Sequence, residues 1–241
     1  MLNFENTIAE VDGSDVDLAI LPLGSTEQHG SHLPLCTDCL TVSELGKRVA
    51  ERLGAYLLPT IPITTCYEHK GRKGSLWMRP STFYTMLEDI LLCLHGQGFK
   101  KVAVLFGHGG IFAANPAIRE LNATVDGLRV ITVPSAPREV FADLVENPKF
   151  EVHAGEKETS MILALREDLV HMDEAAKNDC EPSVPREYLN HIPLTRLSSS
   201  GAWGKPSLAT REKGEKLLQR MTEHYVRYIE DALKYAVEEA W

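Results

Sequence analysis

Glu27, His29, His32 and Asp38 lie within twelve positions of one another in the segment LPLGSTEQHGSHLPLCTD, residues 21–38. Carboxylates and imidazoles are the side chains that hold hard and borderline divalent cations. Two-residue spacing in extended chain places Glu27 and His29 on the same side, where both can face one site. His108 follows the apolar run KVAVLF in the sequence GHGG, and Gly109 and Gly110 leave room for a metal or substrate beside the backbone. A third cluster, HAGEKETS at 153–160, offers His153 and Glu158 for proton transfer or further ligation. Each residue also has a plainer reading. Asp38 could cap the helix that follows it, Glu156 and Glu158 could be first-turn acids favoured by a helix dipole, and His108 could be a loop histidine. The combination is harder to explain in that way than its members. His32 takes a supporting place, because Glu27, His29 and Asp38 already form a nucleus.

Apolar runs and amphipathic stretches alternate along the chain and must position these groups. Strands are predicted at 17–23, 55–63, 101–106 and 128–133, and helices at 41–53, 82–97, 116–123, 156–168 and 210–239. Strand and helix in alternation imply an α/β fold, with parallel strands joined by right-handed crossovers and helices on both faces. Ligands of open α/β sheets bind beyond the carboxyl ends of the strands. Glu27, His29 and His108 all follow strands, so this fold class would bring them to one edge. Residues 178–205, rich in Pro, Ser and Gly, read as an extended loop serving as a lid or subunit contact.

The chain has 241 residues, enough for a single domain spanning 1–241, and no break in composition divides it. A formal charge of -9 argues against nucleic acid or an anionic membrane as partner, and no apolar run approaches the roughly 18 residues of a membrane span. The acidic first residues lack a signal-peptide pattern, and five scattered cysteines suit reduced thiols, so a cytoplasmic location is expected. Cys36 and Cys39 form an isolated CxxC without a second pair, best read as coincidence or core packing. GHGG has neither the spacing of a dinucleotide fingerprint nor that of a P-loop, which leaves a nucleotide-binding module little support.

The four motifs LPLGSTEQHGSHLPLCTD, GHGG, HAGEKETS and GAWGKPSLATREKGEKLL, reaching from residue 21 to about 218, resemble the creatininase (creatinine amidohydrolase) family. The resemblance implies a three-layer α/β/α sandwich with a mostly parallel central sheet, two divalent metals per subunit (Zn, Mn or Fe) and a homo-oligomer, often a hexamer. It places Glu27 and His108 on one metal, His29 on the other and Asp38 between both, with His153 and Glu158 near the reacting substrate. The sequence departs from the family at two places. Creatininases carry a metal-binding Glu two positions after the GH histidine, where this chain has Gly110. The second metal would then be under-ligated, held more weakly, or completed by Glu158 and water, and creatinine becomes an unsafe substrate. Many relatives also read EH followed by a Phe-Pro-Gly-Thr turn, whereas this chain has Glu68-His69-Lys70-Gly71-Arg72-Lys73-Gly74-Ser75-Leu76-Trp77. Lys70, Arg72, Lys73 and Trp77 could line a pocket for a polar or anionic substrate, or form a solvated loop. Trp203, in GAWGKP, either walls the pocket or anchors the last helix.

The expected activity is hydrolysis of a C–N bond (an amide, cyclic amide or formamide) in a small polar molecule by a metal-bound hydroxide, with His153 or Glu158 passing a proton to the leaving nitrogen. One alternative is C–C bond hydrolysis of a cyclic ketone such as a keto-inositol, by the same nucleophile. Another is a metal-binding protein without catalysis, which Gly110 favours.

Overall fold

A computed structural model describes residues 1–235. Its centre is a four-stranded sheet in the order β2-β1-β3-β4, formed by β1 (Leu18–Leu23), β2 (Tyr56–Leu57), β3 (Lys101–Phe106) and β4 (Arg129–Val133). Every pairing is parallel. The strands are almost continuously apolar because both faces are covered. Along β1 and β3, Ala19, Leu21, Leu23, Val102, Val104 and Phe106 pack on one side, while Leu18, Ile20, Ala103 and Leu105 pack on the other.

After the short α1 (Ile8–Asp12) come α2 (Thr37–Leu53), α3 (Pro80–Gly96), α4 (Ala114–Thr124), α5 (Glu156–Arg166), α6 (Met172–Asn178), α7 (Leu194–Leu197) and α8 (Arg211–Tyr235). Phe83, Leu87, Leu91 and Leu94 of α3 recur at helical spacing and cover one sheet face together with α4. The other face takes Val42, Leu45 and Val49 of α2, Met161 of α5, and Leu217, Leu218 and Met221 of α8. The result is the expected three-layer α/β/α sandwich. Helices α5 and α8 approach closely where Gly214 lies: a Cβ there would fall 1.9 Å from the Ser160 carbonyl oxygen.

The register places the site. Leu23 pairs with Phe106 at the carboxyl ends of β1 and β3, and the Gly107 N–H donates to the Leu23 carbonyl at 2.8 Å. The loops bearing Glu27 and His108 therefore leave the sheet side by side.

Several predicted boundaries move, for local reasons. Helix α2 begins at Thr37, four residues before the predicted start at 41, so Asp38 lies inside the first turn instead of ahead of it. The strand predicted at 55–63 shrinks to Tyr56–Leu57, because Pro59 and Pro62 cannot donate to a ladder and only an isolated Leu23–Ile61 bridge continues it. Helix α5 ends at Arg166 and a 3-10 turn, Glu167–Leu169, completes the predicted span. The last predicted helix is described to Tyr235, and its remaining predicted residues, 236–239, lie outside the described residues. Residues 178–205 are also not a simple loop. They contain a 3-10 turn (Arg186–Asn190) and α7, a bridge from Cys180 to Gly204 joins the two ends of the segment, and a bridge from His153 to Trp203 ties it to the body. Among the described residues no helix is long and apolar enough to cross a membrane.

Candidate metal centre

Two loops and two helix amino termini supply the site. The β1 loop brings Glu27 and His29, the β3 loop brings His108, the first turn of α2 brings Asp38, and the first turn of α5 brings Glu158. Glu27, His29, Asp38 and His108 are all buried, and Glu27 and His29 have no exposed surface at all. The positive ends of two helix dipoles favour the carboxylates of Asp38 and Glu158. Ala154, just before α5, is the one non-glycine residue among those described with positive φ, at 50°, and it is fully buried. Backbone held in so sparsely populated a conformation is characteristic of functional sites.

The contacts have a common form. His29 Nε2 lies 3.3 Å from Asp38 Oδ1, and His108 Nδ1 lies 3.0 Å from Glu27 Oε1 and 3.4 Å from Asp38 Oδ2. His29 Nε2 is also 3.8 Å from Glu158 Oε2. Yet Glu27 Oε1, His29 Nε2, Asp38 Oδ2 and His108 Nε2 make no well-directed hydrogen bond. Four buried polar atoms without partners, within one cluster, would be costly in a finished interior. Two ligands bonded at about 2.1 Å to one ion, subtending about 90–110°, stand about 3.0–3.4 Å apart. The separations and the unsatisfied atoms both fit a divalent cation, and the donor set of imidazoles and carboxylates suits Zn, Mn or Fe.

The electrostatics agree with displaced protons. Burial raises the cost of charge on Glu27, but His108 and His69 hold its carboxyl well below the usual range. Burial likewise opposes charge on His29, and Asp38, Glu158 and Glu27 override it, raising the imidazole to about 9. His108 is raised well above its ordinary value against burial, chiefly by Glu27. His153 is pushed the other way by burial and by His29 and His69. Its Nε2 donates to the Gln28 carbonyl at 2.7 Å, leaving Nδ1 turned toward Glu27 Oε1 at 3.6 Å.

The site also contains residues that sequence reasoning left out. His69 is buried, with Nε2 3.1 Å from Glu27 Oε1, and Gln28 Nε2 donates to its Nδ1 at 3.0 Å and to the Gly201 carbonyl at 2.9 Å. Glu68 stands against the other edge of His108. The Glu68-His69 pair lies outside every predicted element and stood out only as the EH shared with relatives, and long-range contact alone brings it to the strand ends. His32 is buried outside the ligand cluster, where its Nε2 meets Thr159 Oγ1 at 3.1 Å.

A cavity of about 730 Å³ opens over these groups, lined by Glu68, His69, His108, Gly109, Gly110, His153 and Glu158 among others. Trp77 and Trp203 are not in its lining. Trp77 packs on Tyr67 at 5.6 Å between ring centroids, and Trp203 is buried behind His153, its backbone paired with that residue. The basic loop does not reach the cavity either: Arg72 Nη2 donates to the Ser199 carbonyl at 2.5 Å, and Lys70 and Lys73 are exposed. Instead the lining cations are Arg138, Lys149, Lys157 and Arg186. Arg186, from the segment expected to be a lid or contact, lies over Gly109, beside the metal-site histidine. Cys36 and Cys39 are free thiols, and burial pushes the Cys39 thiol up to about 12.

The model of the creatininase family, described as creatinine amidohydrolase, matches residues 5–229. The chain belongs to the creatininase family. It is 29% identical over 224 residues to the mycofactocin precursor peptide peptidase of Mycolicibacterium smegmatis, covering 86% of this chain and 82% of that one. Against the creatinine amidohydrolase of Pseudomonas putida the identity is 28% over 237 residues, covering 90% of each chain. A crystal structure of creatininase superposes with a TM-score of 0.79 at 25% identity, covering 97% of both chains. Solved creatininases of this fold include a Mn form and a Zn–Zn form. The chain is thus a creatininase-family hydrolase whose buried imidazoles and carboxylates form groups able to hold a divalent metal.

Proposed function

We propose that the chain is a metal-dependent hydrolase of a C–N bond in a small polar molecule, with two divalent ions per subunit. The observation that carries this reading is the cluster of buried, unpartnered carboxylate and imidazole atoms on the floor of an open cavity. Glu27 and His108 would hold one ion, His29 and Glu158 the other, and Asp38 would serve both. Bound divalent ions supply Lewis acidity, which activates water near neutral pH and polarises a carbonyl.

The remaining work falls to the protein. Glu158 lines the cavity and its Oε2 accepts the Ala154 N–H at 2.6 Å, which fixes the carboxylate in one orientation. There it can take a proton from the attacking water and return it to the leaving nitrogen. His153 stays neutral and, with Nε2 committed to Gln28, presents Nδ1 to the Glu27 oxygens. His69, oriented by Gln28, and the Ser25 hydroxyl, which donates to Glu27 Oε2 at 2.6 Å, hold Glu27 from behind. Arg186 and the cavity lysines offer a seat for an anionic group on the substrate.

Metal content and turnover test this reading together. Purified protein should contain close to two ions per subunit, and a panel of formamides, cyclic amides and short peptides should release amine, ammonia or formate. Glu27→Ala and His108→Ala should lose metal and turnover while keeping the fold by circular dichroism. Turnover that persists after the metal is stripped would sink the proposal, as would a metal-loaded protein inert on every C–N substrate.

A further inference from the structure

His108 has two ring nitrogens in different surroundings. Nδ1 faces Glu27 and Asp38, while Nε2 stands 3.3 Å from Glu68 Oε1, off the line of a good hydrogen bond, with no other partner among the described residues. Glu68 reaches this place from a single 3-10 turn, Tyr67–His69, far from β3 in sequence. The turn's approach is fixed by Thr65, whose Oγ1 donates to the Gly110 carbonyl at 2.6 Å. No side chain fits at Gly110. A Cβ there would stand 2.4 Å from His108 Nε2, 2.5 Å from the Thr65 carbonyl oxygen and 2.6 Å from Glu68 Oε1. The space next to the histidine, empty at position 110 for want of a side chain, is occupied by the carboxylate of a different loop.

We infer that Glu68 is a positioning residue for His108, accepting its Nε2–H so that the Nδ1 lone pair is held toward Glu27 and Asp38, and that Gly110 is required to admit it. This rests on the metal reading of the same site. The physical reason is general: a ligating histidine commonly donates its second ring N–H to a carboxylate, which fixes the tautomer and makes the coordinating nitrogen more basic. Glu68 suits that role better than direct ligation to the ion shared by Glu27 and Asp38, because it lies on the opposite edge of the ring from Nδ1.

Metal titrations and nitrogen NMR on Zn-loaded full-length protein test the assignment. Glu68→Ala should weaken Zn binding about 10–100-fold. Glu68→Gln, whose amide oxygen still accepts a proton, should lose threefold or less. Gly110→Ala should match Glu68→Ala, and the double variant should add little, since both remove one contact. In ¹⁵N spectra of the wild type, His108 should show a metal-bound Nδ1 and a protonated Nε2. A metal-bound Nε2, equal losses in Glu68→Ala and Glu68→Gln, or no loss in Glu68→Ala would overturn the inference while leaving the metal site standing. A wild type that binds no Zn at all would overturn both. Should Gly110→Ala not fold, the Glu68 variants and the spectra decide.

Discussion

Removal of the ions should leave the site holding protons in their place. In the ion-free protein His29 is raised to about 9 and His108 is raised well above its ordinary value, so both imidazoles are charged at pH 7. Glu27, held well below the usual carboxylate range, is already ionised and releases none. Each ion must then displace about one proton, one from His29 and one from His108. For the His29 site, two pH units separate neutral solution from its raised value, so affinity at pH 7 should be roughly a hundredfold weaker than at high pH. The apparent dissociation constant should fall about tenfold per pH unit from 6.5 toward 9. Isothermal titration of chelator-treated protein in two buffers of different ionisation enthalpy gives the proton count directly. Close to two protons per subunit is expected at pH 7, falling to one in His29→Gln. Affinity independent of pH, or no proton release, would refute the reasoning. The ion-free fold should respond in the opposite sense. A raised imidazole stabilises fully below its unfolded value near 6.5 and loses that contribution as pH rises through about 9, so the His29 contribution lowers the Tm of the ion-free protein across that window.

Other perturbations probe different parts of the molecule. Glu158→Gln keeps the shape of the side chain but not its basicity, and should cut turnover about 10²–10⁴-fold at saturating metal, measured by steady-state kinetics. Arg186→Ala should raise KM at least about tenfold for a substrate carrying a carboxylate or phosphate while leaving kcat nearly unchanged, because a lost charged contact costs on the order of 1.5–3 kcal/mol. Equal KM in both proteins would remove Arg186 from substrate recognition. Gly214→Ala should destabilise the fold by about 1–3 kcal/mol in urea unfolding, since α5 and α8 must separate to accept the methyl group. An unchanged midpoint would mean that the helices shift freely there.

Much of this architecture was legible in the chain. Strand β3 appears where KVAVLF predicts it, because five consecutive apolar residues after Lys101 leave no helical stripe. The two-residue spacing of Glu27 and His29 and the rule that sites lie beyond carboxyl strand ends together located the cluster. Boundaries set by tertiary contact were less accessible. Helix α2 starts early because Thr37 and Asp38 are buried against the site and not exposed at a cap. The tryptophans illustrate the same limit: Trp77 and Trp203 are large and glycine-flanked or loop-borne, yet one packs on Tyr67 and the other behind His153.

What the sequence determined by itself was the layered α/β fold and the chemistry of the strand-end loops, since periodicity and side-chain type are local properties. Only the tertiary structure decided that His69 and Glu68 enclose Glu27 and His108, and that Arg186 overlooks the cavity. Those residues come from turns tens of positions away, and no local pattern records which turn will close over which strand end. Gly110 shows the division most clearly. Read in sequence it is a missing acid; in the folded chain its absent side chain makes room for the carboxylate of Glu68.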